Sequence, residues 1–500
     1  MKLGQIVRGI DYQEHLGDPE VEISGVAYDS REVRPGYLFV ALRGHALDGH
    51  AYLLDALERG AAALVAEDFT GYEARGAALV RVSDSRGALS KIASAFYSRP
   101  FEEMNLIGIT GTNGKTTTSY LLESVFTAAG RRPGVIGTIN YRICGQKSSA
   151  SVTTPESLDL MRLLRRMADR GATDVIMEVS SHALDQGRTR ECPFKAAVFT
   201  NITRDHLDYH KTMEAYFEAK SRLFLGLDES STAVLNLDDP NAKKLATLTP
   251  ARVLTYGLQS SCQVRAEVLS SDRNGIRARL ITPAGKREIR SPLLGKVNVY
   301  NILAAATAAL ALDLELDSVA KGLEAVGSVP GRLEPVQNRR GLSVVVDYAH
   351  TPDALLKALE TLRPLTGGRL ITVFGCGGDR DRGKRIEMGL VAGQHSDLVI
   401  ITSDNPRSED PLSILTDIEK GIRKSEMRPL DASANFPVNG PGYILEVDRR
   451  KAIRQAFRMA GGEDLILIAG KGHEDYQIVG RERRSFDDRK EAALAAEVNA

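Results

Sequence analysis

The sequence predicts an α/β protein of three domains with largely parallel sheets. Three observations carry this. The chain has 500 residues, more than one ordinary core holds. Short apolar runs alternate with helix-like stretches, the pattern of βαβ units. Two Pro-containing breaks, "YSRPFEEMN" at 97–105 and "GSVPGRLEPV" at 327–336, each precede a strong strand. The divisions therefore fall at about 1–100, 101–330 and 331–500.

Composition narrows the class. Lys+Arg and Asp+Glu are both 65, so the formal charge is zero. This argues against a nucleic-acid partner held by bulk charge. Cys144, Cys192, Cys262 and Cys376 are scattered, with no CxxC pair, which argues against a disulfide framework or a zinc site. The start "MKLGQIVRGI" lacks the apolar run of a signal peptide. The longest apolar stretch, "ILAAATAALAL" from Ile302, falls short of the ~20 residues that span a bilayer. A cytoplasmic protein without a membrane span is expected.

The first chemical signal is "LIGITGTNGKTTTSYLLESVFTAAG", 106–130. An apolar strand runs into Gly111-Thr112-Asn113-Gly114-Lys115-Thr116, and a helical pattern with Gly130 as its stop follows. Backbone N–H groups of such a loop close around phosphate oxygens, and the helix N-terminus adds positive potential. Lys115 would reach the β/γ phosphates and the Thr116 hydroxyl a Mg²⁺ ion. The loop is a shortened variant, because Ile109 stands where the longer pattern has its first Gly. It marks a nucleoside triphosphate, and the lack of a guanine-reading NKxD motif favours ATP.

Polar clusters at strand ends come next, since ligands of open α/β sheets sit beyond the carboxyl ends of strands. "DVIMEVSSHALDQGR", 174–188, brings Glu178, Ser180 and His182; "AAVFTNITRDHLDYH", 196–210, brings Asp205, His206, Asp208 and His210. Glu178 and His206 would meet near the phosphate loop and hold Mg²⁺ or Mn²⁺. His210 reads as a solvated loop residue. The third domain repeats the arrangement in "LITVFGCGGDRDRGKR", "DLVIITSDNPR" and "DLILIAGKGHEDY". Three strand ends of mixed charge form a polar basin, with Arg380 and Arg407 as carboxylate forks and Asp404 and Glu474 as ammonium acceptors. That is an amino-acid site for a ligand with more than one carboxylate, facing a nucleotide site.

These motifs, with "TTPE" at 153–156, "YFEAKSRLF" at 216–224, "VNVYNILAAA" at 297–306, "PGRLE" at 330–334 and "DYAHTPDAL" at 347–355, stand in the order found in the Mur ligases. The chain resembles the MurE type end to end. The resemblance implies a central P-loop ATPase-type parallel sheet, a Rossmann-like C-terminal domain and a small α/β, UDP-binding N-terminal domain. It implies a monomeric, ATP- and Mg²⁺-dependent ligase adding meso-diaminopimelate to UDP-N-acetylmuramoyl-L-alanyl-D-glutamate through an acyl phosphate, in peptidoglycan precursor synthesis.

Residue by residue, it places Gly111 to Thr117 (Gly111, Thr112, Asn113, Gly114, Lys115, Thr116, Thr117) on the nucleotide phosphates, with Asn301, Arg332 and His350 on the adenine-nucleotide side. Thr116, Glu178 and His206 are metal positions, as is Lys220 if carbamylated; on residues alone Lys220 reads as a solvated helix-face lysine. Lys115, Glu178, His206 and Lys220 are the catalytic set. Thr153, Thr154, Ser180, Gln186 and Arg188 match contacts to the muramoyl dipeptide. Ser30, Arg31 and the His45–His50 loop match the uridine diphosphate side. Arg380, Asp404, Asn405, Pro406, Arg407, Gly470 and Glu474 match the amino-acid pocket. In the family "DNPR" accompanies meso-diaminopimelate, whose second carboxylate would pair with Arg407. The rival readings are a sister ligase adding L-lysine or another amino acid, a P-loop phosphotransferase, and a nucleotide-gated binding module.

Overall fold

Three sheets of five, eleven and seven strands follow one another along the chain in a computed structural model that describes residues 1–44, 47–431 and 440–497. The first sheet is parallel except for its edge strand Tyr12–Leu16, which pairs antiparallel with Ala78–Val82.

At the centre of the second sheet lies Asn105–Thr110, between Asp174–Glu178 and Phe194–Phe199, all parallel. These strands are near-continuous apolar runs because both faces are covered. Side chains alternate between the covers: Leu106 joins one apolar cluster, Ile107 and Ile109 the other. The helix Lys115–Ala128 packs on the second face beside Lys296–Ala311. The latter is the apolar stretch from Ile302, buried from Asn298 to Ala309 except at Tyr300. A helix apolar all round belongs inside a core, and among the described residues no helix is long and apolar enough to cross a membrane. The expectation of parallel strands holds for the middle of this sheet. Its edges are antiparallel: Val264–Asp272, Gly275–Thr282 and Gly285–Ser291 form a meander, and Asn140–Ile143 and Gln146–Ser149 a hairpin. These strands meet solvent more than the central ones do: Gly275–Thr282 exposes Arg277 and half-exposes Arg279 between buried positions, and Gly285–Ser291 exposes the run Lys286 to Glu288.

The third sheet places Ser343–Asp347, Leu465–Ala469, Leu370–Phe374, Leu398–Ile401 and Gly442–Leu445 side by side, all parallel. Leu465, Leu467 and Ala469 face one helix layer while Ile466 and Ile468 face the other. The three strands expected to end in charged loops are thus immediate neighbours, and their carboxyl ends share one rim.

Candidate active site

The phosphate loop is held from below by the neighbouring strand end. Thr112 N–H donates to Asn201 O at 2.8 Å, Asn113 N–H to Asn201 Oδ1 at 3.0 Å, and Thr200 Oγ1 to Asn113 O at 2.6 Å. Gly114 starts the helix at φ +91°, and a Cβ there would come within 2.5 Å of Asn301 Oδ1. Only glycine lets the loop and the helix Lys296–Ala311 approach this closely. Lys115 Nζ folds back onto the carbonyls of Gly111 (2.7 Å) and Thr112 (3.0 Å). Thr117, further into the first turn, is buried.

Glu178 stands at the end of its strand and meets the loop directly. Its Oε2 accepts from Thr116 Oγ1 (3.0 Å) and Thr138 Oγ1 (2.8 Å), and Oε1 accepts from Thr138 N–H (3.1 Å). A polar chain runs outward from it. Thr138 Oγ1 lies 3.1 Å from Thr153 Oγ1, Thr154 Oγ1 donates to Glu178 O (2.8 Å), and Ser180 N–H donates to Thr154 Oγ1 (3.1 Å). Arg188 donates to Thr154 O (2.8 Å) and by two nitrogens to Gln186 Oε1 (3.0 and 2.7 Å). All five residues matched to the muramoyl dipeptide therefore form one network. Glu156 ties it to the first sheet's domain through Arg86 (2.8 Å).

Lys220 is not solvated. It is 2 % exposed, its Nζ donates to Gly111 O at 3.0 Å and lies 4.5 Å from the Tyr216 ring centroid. Burial holds its ammonium well below the ordinary lysine range, and Lys115 lowers it further. Burial lowers Lys115 as well, against the pull of Glu178. His210 also departs from the solvated reading: it is buried, with Nε2 2.9 Å from Ser181 Oγ. The cause is ring packing, since His182, His206, His210, Tyr209 and Tyr216 form one aromatic group. His206 sits in it at φ +55°, its N–H bonded to Asp205 Oδ1 (2.8 Å). Desolvation lowers its imidazole and Asp205 opposes the shift. Among the described residues no three His, Cys, Asp or Glu side chains gather as a metal site by themselves; the oxygen set beside the loop is Thr116 and Glu178.

The second and third sheets enclose a cavity of about 660 Å³. Asp205 and His206 line one side; Arg380, Asp404, Asn405, Arg407, Gly470 and Glu474 line the other, with His350 between. Asp353 on its wall accepts from Asn113 Nδ2 (3.3 Å) and Thr203 Oγ1 (2.9 Å), joining it to the phosphate loop. Arg332 Nη2 donates to Thr116 Oγ1 at 3.4 Å, and His350 Nδ1 lies 2.9 Å from Tyr348 O. Burial lowers the His350 imidazole.

The basin's loops interlock. Gly378 N–H donates to Asn405 O (2.9 Å), and a Cβ on Gly378 would stand 1.9 Å from Pro406 O. Arg407 adopts φ +52° and is pinned by backbone bonds to Ile478 O (3.1 Å) and from Gly480 N–H (2.7 Å), while Nη1 donates to Gly378 O (2.8 Å). The hairpin Tyr476–Val479 with Glu482–Ser485 thus backs the "DNPR" turn.

Several supports stand behind these loops; Arg385 ends the "LITVFGCGGDRDRGKR" run read from the sequence, whereas Arg449 lies in no motif. Arg385, buried, pairs with Glu409 (2.9 Å) and Asp417 (3.2 Å). Arg449 and Asp488, both fully buried, pair at 2.7 Å, and Arg449 also donates to Ala469 O (2.9 Å) and Ser403 O (3.4 Å) behind two of the loops. Asp353 lies within the "DYAHTPDAL" run without a role of its own there, Thr138 carries no motif signal, and Asp488 stands in a plain polar run. Ser30 is buried beside Asp29 and Arg31 in the first sheet's domain and does not line the cavity. His45 lies outside the described residues.

Residues 22–97 match the Mur ligase family catalytic domain, 109–309 the Mur ligase middle domain, and 331–472 the Mur ligase glutamate ligase domain. The UDP-N-acetylmuramoyl-L-alanyl-D-glutamate–2,6-diaminopimelate ligase of Geobacter metallireducens is 50% identical, over 99% of this chain and 98% of its own. That of Bacillus licheniformis is 42% identical, over 99% of each chain. A solved structure of a ligase of the same name is 33% identical with a TM-score of 0.70, covering 100% of this chain and 99% of its own. With its fold, its phosphate loop and its sequence matched along nearly the whole length, the chain belongs to the Mur ligase family.

Proposed function

We propose that the chain is an ATP-dependent amide ligase that joins meso-diaminopimelate to UDP-N-acetylmuramoyl-L-alanyl-D-glutamate in the cytoplasm, acting as a monomer in peptidoglycan precursor synthesis. The observation that carries the reading is the shared cavity, which sets the Asp205–His206 loop, tied through Asp353 to the phosphate loop, opposite Arg380, Asp404, Arg407 and Glu474. The identity to diaminopimelate ligases along the full chain supports it.

A carboxylate is a poor electrophile because its charge repels a nucleophile. An oxygen of the D-glutamyl carboxylate attacks the γ-phosphorus of ATP, the bond to ADP breaks, and an acyl phosphate forms. The amine of diaminopimelate then attacks the carbonyl carbon, the tetrahedral intermediate expels phosphate, and the nitrogen loses its proton. The chain's part is positioning and charge neutralisation. Gly111 to Thr117 cradle the phosphates and Lys115 offsets their charge, with Asn301, Arg332 and His350 on the nucleotide side. Thr153, Thr154, Ser180, Gln186 and Arg188 orient the dipeptide carboxylate, and Ser30 belongs to the uridine diphosphate side. Arg407 and Arg380 fork the amino acid's carboxylates; Asp404, Glu474, Asn405, Pro406 and Gly470 shape the rest of its pocket. Thr116, Glu178 and His206 are an oxygen and imidazole set suited to Mg²⁺, and a carbamate on Lys220 would add an anionic ligand; the ion supplies charge neutralisation at the phosphates. The buried, pKa-lowered Lys220 amine fits that modification, which needs a neutral amine. The units divide at about 1–100, 101–330 and 331–500.

Phosphate release measured with ATP, the UDP-muramoyl dipeptide and a panel of amino acids tests this. Release that requires meso-diaminopimelate is expected. Release supported equally by L-lysine would make the chain a sister ligase. Release independent of any amine, leaving a stable phosphorylated product, would make it a phosphotransferase.

A further inference from the structure

Lys471 stands at a strand end in the sequence, and no role above absorbs it. Its side chain is 0 % exposed and is not on the cavity wall. It turns inward beneath the basin, where Nζ lies 3.1 Å from Asn405 Oδ1, 3.2 Å from Glu474 Oε2 and 3.8 Å from Asp404 Oδ1, with the Tyr476 ring 5.5 Å away. The triangle closes on itself, because Asn405 Nδ2 donates to the same Glu474 Oε2 at 2.9 Å. Asn405 Oδ1 also accepts from Ile478 N–H at 2.9 Å. Glu474 therefore has one oxygen committed to the protein. Among the described residues none bonds the other, Oε1, and Glu474 lines the cavity.

We propose that Lys471 is a positioning residue for the amino-acid substrate: it anchors Glu474 and Asp404 from beneath, so that their remaining oxygens meet the incoming ammonium groups. The electrostatics require such a residue. Two carboxylates converging on one cavity repel each other. A buried cation within reach of both offsets that repulsion and fixes their rotamers, at the cost of an unpaired buried charge if either partner is lost. Lys471 acts through Glu474, Asn405 and Asp404, so its removal affects the amino acid and leaves the two nucleotide substrates alone.

The role rests on the ligase reading, and the test separates the two. Wild-type phosphate release is measured first; a chain that turns over no amino acid overturns both. With the wild type active, Lys471→Met in the full chain is expected to raise KM for meso-diaminopimelate at least about tenfold, with KM for ATP and for the UDP-muramoyl dipeptide within about twofold. Lys471→Arg, which keeps the charge, is expected to restore part of the lost KM. Unchanged KM for all three substrates in the Met variant, or a rise shared by all three, overturns the proposal while leaving the ligase intact. Should the Met variant not fold, Lys471→Gln keeps a hydrogen-bonding head without the charge. The same selective rise is then expected of it, and an unchanged or shared KM overturns the proposal in the same way.

Discussion

The phosphate loop and the amino-acid basin are built in opposite ways. The loop is a single run, Gly111 to Thr117, whose main-chain groups are held by Asn201, the Thr200 hydroxyl, the Lys115 and Lys220 ammoniums and its own helix. The basin is assembled from three loops far apart in sequence, around Arg380, Arg407 and Glu474. Its shape is set by buried ionic side chains: Arg385 with Glu409, Arg449 with Asp488, and Lys471 with Glu474. A site made of backbone fails only where a side chain touches the ligand. A site made of ion pairs also fails from behind.

The largest expected effect breaks the comparison at the loop. Lys115→Met removes the one side-chain cation of Gly111–Thr117, and a single lost charge-stabilising donor costs about 10²–10³ in turnover. Phosphate release is expected to fall by that order while calorimetric binding of meso-diaminopimelate is unchanged. A variant that loses diaminopimelate binding as well would show that the two sites are not independent.

Arg407→Ala comes next. It deletes the guanidinium proposed to fork the second carboxylate, and a lost charge-assisted bond is worth about 1–3 kcal/mol, or roughly tenfold to a hundredfold in KM. The rise is expected for meso-diaminopimelate only, with L-lysine use unaffected. Arg407 and its Ala replacement carry the same Cβ at φ +52°, so backbone strain does not separate them, and Arg407→Lys serves as the control that keeps a charge without the planar fork. Equal losses for diaminopimelate and for the UDP-muramoyl dipeptide would remove Arg407 from the specificity role.

Gly378→Ala tests the interlocking of the basin's loops without touching any charge. The new methyl would have to displace Pro406 O from 1.9 Å, a backbone shift on the order of 1–3 kcal/mol. A lower midpoint of thermal unfolding and a raised KM for diaminopimelate are expected, with KM for ATP unchanged. If KM for diaminopimelate does not move, the "DNPR" turn does not need the "GCGG" turn for its geometry.

The same contrast explains what the sequence discloses. The strand, loop and helix from Asn105 to Ala128 are legible because their signals are contiguous: an apolar run, glycines, then Lys-Thr. The three charged strand ends are legible because each ends an apolar run, and the sheet sets them side by side. Lys220 and His210 read wrongly as solvated because a side chain's burial depends on what the fold brings over it. Here that is the aromatic group around His182 and Tyr216, which only the folded chain gathers. The Arg449–Asp488 pair is invisible in sequence for the same reason: both residues look like ordinary helix-surface charges until two helices close over them. The antiparallel edges of the second sheet carry no such contiguous signal: the charges from Val264 to Ser291 alternate with apolar residues only in part.

The smallest expected effect sharpens the comparison by titration. Glu409 stands two residues beyond Arg407. The Arg385 guanidinium first, and the Asp379 N–H second, hold its carboxyl down to about 2, against about 4.3 for a free glutamate. Over the interval between these values the unfolded chain takes up a proton that the folded chain refuses. The pair's contribution to stability is therefore complete above about pH 4.5 and drains away as pH falls towards 2. In Glu409→Gln the carboxylate is absent at every pH, and Arg385 keeps only Asp417 as its ionic partner, 3.2 Å away. The substitution is expected to cost on the order of 1 kcal/mol at neutral pH. In thermal melts the gap between wild type and Glu409→Gln is expected to be widest from about pH 6 to 7, to narrow below about pH 4.5 and to close towards about pH 2. A gap that stays constant across that range would mean that shape, and not the ionised pair, is what Glu409 contributes beneath the "DNPR" turn.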